Sequence, residues 1–225
     1  AMLTPTMIIM TLQDAALGRT DLSSLRQLLY GSSPMAAEWI KKALDAFGDV
    51  EIIQAYGLTE TSPILTILPM AEHEQAIAGE NVALLQSVGR PIPGVEMRIV
   101  DDNDTDVPID AAGEIIVRGA NVSKGYLNRP DETRTGFRKG WLHTGDIGRM
   151  NDQGYLFLLD RKKDMILVSG FNVFPNEVED WVNRHPGVLE CAAIGVPNER
   201  TGESVKLFVV GKAGAVGDED LLSHC

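Results

Sequence analysis

Between Leu28 and Ala55 the apolar residues change period twice, and no other feature constrains the fold as much. Leu28-Leu29-Tyr30 is a short apolar run closed by Gly31-Ser32-Ser33-Pro34. From Ala36 to Phe47, residues Trp39, Ile40, Ala43, Leu44 and Phe47 recur at helical spacing, with Gly48 as the stop. Val50 to Ala55 then reads as a buried strand, and Ile64 to Leu68 is a second apolar run. Strand, helix and strand in that order fit a βαβ unit, where ligands collect at the carboxyl ends of the strands.

Further on the period falls to two. Val95, Met97 and Ile99 alternate with Glu96 and Arg98, which marks a half-buried strand of a separate, antiparallel sheet. Asp101 to Asp110, with five Asp residues, Asn103 and Pro108, reads as an exposed turn. Gly113 to Gly119 and Tyr155 to Leu159 add strands. After a charged corner at Asp160-Arg161-Lys162-Lys163-Asp164 come a strand-like Met165 to Val168 and a helix opened by Pro175, with Val178, Trp181 and Val182 on one face. Glu177, Glu179 and Asp180 near its N-terminus suit the helix dipole. Leu189 to Val196 and Val205 to Val210 read as two more strands, and Asp218 to Cys225 as the opening of a helix. The apolar run Met7-Ile8-Ile9-Met10 at one end and that unfinished helix at the other predict segments both upstream and downstream.

Composition removes several function classes. With 44% apolar and 23% charged residues, the 225-residue chain is an ordinary soluble globular protein able to bury a sizeable core. A net charge of −12 argues against a nucleic-acid surface, which needs a basic face. Small anions stay admissible, because a local cationic corner focuses potential even in an acidic protein. Cys191 and Cys225 have no paired spacing, so neither a disulfide scaffold nor a zinc cluster is expected, and Cys191 reads as a small buried hydrophobe. No apolar run approaches the roughly 20 residues of a membrane span. The default is a cytoplasmic protein, compatible with peripheral membrane contact. Oligomeric state leaves no trace in the sequence.

Three stretches carry chemistry. Tyr56-Gly57-Leu58-Thr59-Glu60 places an aromatic, a residue without Cβ, a hydroxyl and a carboxylate at the end of a strand. Such groups suit a base, a close backbone approach, a phosphate oxygen and Mg²⁺ respectively. The pentamer alone fits a tight turn with an exposed Glu equally well. Thr144-Gly145-Asp146, within Gly140 to Asp146, reads as an acid in a Gly-flanked turn, able to meet two vicinal ribose hydroxyls. Arg161-Lys162-Lys163 is the one tight basic triplet in the sequence, suited to phosphate or ribose and equally to a solvated corner. His143, beside Trp141, reads as structural, since nothing nearby completes a nucleophile pair.

Taken together, Tyr56 to Glu60, Ser87-Val88-Gly89-Arg90-Pro91, Gly113-Glu114-Ile115 with Arg118-Gly119, Gly140 to Asp146, and Asp160 to Asp164 with Gly170 resemble the adenylate-forming (AMP-binding) superfamily. That superfamily comprises acyl-CoA synthetases, luciferases and peptide-synthetase adenylation domains. The resemblance runs from about Tyr30 to Val210, with fifteen positions between Asp146 and Arg161. Asp160 to Glu179 looks most like the long-chain fatty acyl-CoA ligases.

The resemblance implies an α/β fold. Residues 1–162 would be the C-terminal part of a large AMP-binding domain, a βα sheet plus an antiparallel β subdomain. Residues 163–225 would be an incomplete small α+β domain, with a hinge near Lys163. It further implies fatty acid, ATP and coenzyme A as small-molecule substrates, with Mg²⁺. Ser32, Ser33, Ala55, Tyr56 and Gly57 would line the adenine and acyl pocket. Thr59 would contact the AMP phosphate, Glu60 the Mg²⁺, Asp146 the ribose hydroxyls and Arg161 the same nucleotide. Ser169, Gly170 and Phe171 would approach the path of the pantetheine thiol.

Two parts of the family pattern do not occur in the sequence. No Ser/Thr/Gly-rich phosphate loop with a lysine precedes these motifs, and the adenylating lysine would lie beyond Cys225, Lys206 and Lys212 being poor substitutes. The expectation is an internal fragment of a synthetase that does not adenylate fatty acids by itself. The alternatives are a non-catalytic nucleotide- or acyl-binding module, and an adenylation domain for an aryl or amino acid.

Overall fold

A computed structural model describes residues 1–33, 35–79 and 81–212, together with 217 and 223. It divides into two units, residues 1–144 with 148–158, and residues 145–147 with 159–225.

The first unit starts with a mixed sheet of β1 (Met2–Leu3), β2 (Gln27–Gly31), β3 (Glu51–Tyr56), β4 (Thr66–Leu68) and β5 (Arg90–Pro91), in that order. β1, β2 and β3 are parallel, while β4 and β5 pair antiparallel. The run Met7-Ile8-Ile9-Met10 lies in helix α1 (Pro5–Gln13). The Thr4 side chain caps it by accepting from Met7 N, and Pro5 fills a first-turn position that needs no donor. Only Pro5 and Ile8 of that helix are buried, so Met7 and Met10 face outward. Helix α2 (Ala37–Phe47) makes the parallel crossover between β2 and β3 that the change of period implies, burying Ile40, Ala43 and Phe47 against Leu28 and Ile52.

Helix α3 (Met70–Ile77) brings His73 beneath this sheet, where it is fully buried with Tyr30. Nδ1 of His73 donates to the Pro69 carbonyl at 2.9 Å, so the neutral ring leaves Nε2 to accept from the Tyr30 hydroxyl, also at 2.9 Å. Gln54 Oε1 faces the same hydroxyl at 3.4 Å. Burial holds the His73 pKa below its ordinary value, against the opposing pull of the Pro69 carbonyl and Glu72. A histidine kept neutral in the fold binds its proton more readily in the unfolded chain, so stability is intact above the unfolded pKa near 6.5 and falls as the pH drops below it. Urea unfolding between pH 7 and pH 5 should show this fall, at no more than about 1.4 kcal/mol per pH unit from this group. His73→Gln should remove its share.

A second sheet follows, built from β6 (Val95–Val100), β7 (Gly113–Gly119), β8 (Phe137–Arg138), β9 (Trp141–Met150) and β10 (Leu156–Arg161). Its order is β10-β9-β7-β6, with β8 on β9 and α4 (Pro130–Gly136) leading into β8. β6 and β7 are antiparallel, with Ile99 paired to Ile115 and Met97 to Val117, as the alternation predicts. Ile115, Val117, Leu142 and Leu156 form a core with Tyr56 and Leu65. One expectation is corrected here. Asp146 is not in a turn: Trp141–Met150 is one strand, with Gly145 inside it at φ +73°. The His143 side chain is 6% exposed, with Arg138 2.7 Å from Nδ1 and Glu114 3.4 Å from the same nitrogen.

The second unit is a sheet of β11 (Ile166–Val168), β12 (Phe171–Val173), β13 (Val188–Asn198) and β14 (Gly202–Gly211), ordered β12-β11-β14-β13 with every pair antiparallel. Ser169 and Gly170, at φ +51° and +85°, form a two-residue hairpin turn of the kind that matches strand twist. Helix α5 (Pro175–Val182) packs on β13. Glu179 does not serve the helix dipole but turns to that strand, where its Oε1 accepts from Ala193 N at 2.7 Å. Cys191 is half-buried rather than buried, with its thiol 3.5 Å from the Glu179 carbonyl oxygen. Asp218 to Cys225 lies outside the described residues except for 223. Among the described residues no helix is long and apolar enough to cross a membrane.

Asp160 ties the end of β10 to α5. The residue is 9% exposed, and its carboxylate accepts from Arg161 N at 2.7 Å through Oδ1 and from Asn176 N at 3.0 Å through Oδ2. The second bond satisfies a first-turn donor of a helix whose own N-cap residue, Phe174, has no side-chain acceptor. Asp160→Ala should cost about 1–2 kcal/mol in chemical denaturation, the range of a lost cap.

Candidate functional site

In the first unit the expected site residues cluster at the carboxyl ends of β2 and β3, which pair through Gly31 and Ala55. Ser32, at φ +74°, and Ser33 follow β2 and are exposed. Tyr56 is 9% exposed and belongs to the core. Gly57 follows it where a Cβ would lie 1.8 Å from the Pro63 carbonyl oxygen, so only glycine lets the chain double back there.

The chain then makes a 3₁₀ turn, Thr59–Thr61. The buried Thr61 hydroxyl accepts from Leu58 N at 3.0 Å and donates to Leu58 O at 2.9 Å, closing the turn on itself. Thr59 is thereby left exposed and Glu60 half-buried.

Residues after β7, which the sequence did not single out, hold this turn from outside. Asn121 Nδ2 donates to the carbonyls of Thr61 and Ile64, both at 2.9 Å. Ser123 N donates to Glu60 O at 2.7 Å. The Tyr126 hydroxyl donates to Glu60 Oε1 at 2.8 Å. Desolvation, reinforced by the Glu60 carboxylate, pushes the Tyr126 pKa up to about 12, so the phenol remains a donor. No periodicity links residues sixty-six positions apart, and Gly125-Tyr126 in a polar loop carried no signal.

In the second unit, Asp146 is 7% exposed and lies beside an exposed arginine, with Arg161 Nε 3.5 Å from Asp146 Oδ1. The adjoining backbone fixes this pair, since Lys162 N donates to Gly145 O at 2.8 Å. Lys163 occupies the tight turn after β10, where Asp164 N and Met165 N both reach back to Arg161 O. It lines a cleft of about 410 Å³ with Asp160, Asp164, Asn176, Glu179 and Glu203. Ser169 and Gly170 form the hairpin turn, and Phe171 beyond it is 76% exposed.

Among the described residues, no three His, Cys, Asp or Glu side chains gather as a metal site. The donor set nonetheless fits Mg²⁺, which binds through one or two carboxylates and completes its shell with substrate phosphates and water. Glu60 offers such a carboxylate, with Oε1 held by Tyr126 and Oε2 accepting no hydrogen bond among the described residues.

A mixed α/β sheet with a small-residue loop and a Thr-Glu turn at the carboxyl ends of its parallel strands, followed by two further β-sheets, is the architecture of an adenylate-forming enzyme. Residues 1–127 match the AMP-binding enzyme family and residues 177–225 its C-terminal domain, and the chain belongs to that family. It is 43% identical over 209 residues to a long-chain-fatty-acid–CoA ligase of Escherichia coli O6:H1, an alignment covering 91% of this chain and 35% of that protein. Among solved structures it is similar to the amide bond synthetase McbA of Marinactinospora thermotolerans, at TM-score 0.85 and 36% identity over 99% of this chain and 44% of the other. It is also similar to o-succinylbenzoate CoA synthetase (MenE) of Bacillus subtilis in complex with ATP and magnesium ion, at TM-score 0.82 and 29% identity over 100% of this chain and 44% of the other. The chain thus spans about a third of the length of the curated relative and under half of those solved chains.

Proposed function

We propose that this chain carries the nucleotide-binding residues of an AMP-forming acyl-CoA ligase, acting on a fatty acid with ATP and CoA. The observation that carries the reading is the pair Asp146 and Arg161, a largely buried carboxylate with an exposed guanidinium 3.5 Å away. A carboxylate accepts from both hydroxyls of a ribose, and a planar guanidinium beside it suits the same nucleotide. The similarity to a long-chain-fatty-acid–CoA ligase supports a fatty acid as the carboxylate substrate.

In this reading the carboxylate attacks the α-phosphorus of ATP and expels pyrophosphate, and the CoA thiol then displaces AMP from the acyl-adenylate. The first step brings two anions together, so positioning and charge stabilisation dominate it. Ser32, Ser33, Ala55, Tyr56 and Gly57 bound the adenine and acyl pocket, and Thr59 donates to the AMP phosphate. Glu60 would hold Mg²⁺, which would supply neutralisation of the phosphate charge. Lys163 marks a hinge between residues 1–162 and 163–225, and rotation there re-aims Ser169, Gly170 and Phe171 toward the thiol.

Calorimetric titration of the chain with AMP and with a non-hydrolysable acyl-adenylate mimic tests the reading. Binding of both, lost in Asp146→Ala, is the expected result. A folded chain that binds neither refutes it.

A further inference from the structure

The loop after β7 makes four hydrogen bonds to one short turn, and the last of them reaches a side chain that the turn itself leaves half-exposed. Asn121 and Ser123 bind backbone atoms of Thr61, Ile64 and Glu60. Those three bonds account for holding the turn in place. The fourth, from the Tyr126 hydroxyl to Glu60 Oε1 at 2.8 Å, adds nothing to the backbone and fixes only the carboxylate. Tyr126 is itself anchored for that purpose. Its ring packs edge-on against Phe137, with centroids 5.6 Å apart, and its backbone N donates to Thr133 Oγ1 at 2.9 Å. The residue before it, Gly125, lies where a Cβ would be 2.5 Å from the Thr133 side chain, so α4 and the loop are closely fitted just where the phenol emerges.

We propose that Tyr126 is a positioning residue that holds the Glu60 carboxylate in the orientation from which it binds the divalent cation of the nucleotide. The inference rests on the reading of Glu60 given above. A glutamate that is free to rotate loses rotamer entropy when it binds a cation, and the tyrosine removes that loss beforehand by fixing one oxygen. The hydrogen bond occupies Oε1 and leaves Oε2 without a hydrogen bond among the described residues, an arrangement suited to a divalent cation that takes a carboxylate oxygen and completes its shell with phosphate oxygens and water. The orienting bond comes from a segment remote in sequence, in the same manner that outer partners orient metal-binding side chains elsewhere.

The test is Mn²⁺ binding, followed by electron paramagnetic resonance with ATP present, in the unaltered chain, Tyr126→Phe and Glu60→Gln. Tyr126→Phe keeps the ring that packs on Phe137 and removes only the hydroxyl, and thermal unfolding confirms that each variant is folded. The expected result is a 3- to 10-fold weaker Mn²⁺ affinity in Tyr126→Phe, unchanged metal-free ATP affinity, and loss of the Mn²⁺ site in Glu60→Gln. A merely structural Tyr126 would leave the Mn²⁺ affinity of the folded variant where it was. Loss in Glu60→Gln together with unaltered affinity in Tyr126→Phe therefore overturns the positioning role alone. Unaltered affinity in Glu60→Gln, or no Mn²⁺ bound by the unaltered chain with ATP, overturns the reading of Glu60 and the positioning role together.

Discussion

Gly57→Ala is expected to lower the midpoint of thermal unfolding by roughly 6–12 °C, the equivalent of about 3 kcal/mol in a domain of this size. The added methyl would lie 1.8 Å from the Pro63 carbonyl oxygen and 2.8 Å from its carbon, both backbone atoms that no side-chain rotation can move aside. Relief requires the 58–64 turn to shift outward. That turn is held by the two Asn121 bonds and by Ser123 N, so a shift breaks hydrogen bonds as well as contacts. Calorimetric unfolding measures the effect. A midpoint within a degree or two of the unaltered protein would mean that the turn is not packed against Gly57 as described.

Asp146→Ala should weaken AMP binding by roughly 100- to 10,000-fold. Hydrogen bonds to a charged group are worth about 1.5–3 kcal/mol each, two ribose hydroxyls are at stake, and 1.4 kcal/mol corresponds to a decade of affinity. Asp146→Asn retains one acceptor oxygen and should fall between the alanine variant and the unaltered protein. Isothermal titration with AMP measures both. An alanine variant that binds AMP as the unaltered chain does would remove Asp146 from the site. The partner cation, Arg161, is largely exposed, so its attraction to Asp146 is screened by solvent and is not the source of this loss.

The fold was most legible where a single period governed a whole element. The helix expected from Ala36 to Phe47 is Ala37–Phe47, the strand expected over Gly113 to Gly119 has those bounds, and Pro175 opens α5. In the two helices one face is apolar and the opposite face polar, and in β7 the run Ile115-Ile116-Val117 is buried on both faces, so local pattern and tertiary burial agree. Trp141–Met150 was hidden because Gly140 and Gly145 are the residues that usually end strands, and in this one Gly145 lies inside the strand. Helix α3 gave no warning of His73, since a buried histidine is decided by its neighbours in space, and Tyr30 and Gln54 belong to distant strands. The same holds for the candidate site. Thr59 and Glu60 stood out as a motif, whereas Asn121, Ser123 and Tyr126 act through contacts that no spacing encodes.

Gly145 has one more consequence. Along β9 the side chains should alternate between buried and open, yet Asp146, Ile147 and Gly148 are buried in succession. Counted from the buried Leu142, strict alternation already turns Asp146 and Gly148 inward, so Ile147 is the residue buried out of phase, two positions after the φ of +73° at Gly145. The acid therefore keeps the face that Leu142 sets, and the left-handed glycine bears on its isoleucine neighbour instead. A chain that gave position 145 an ordinary side chain would favour the regular pleat, and Ile147 would then be turned toward water.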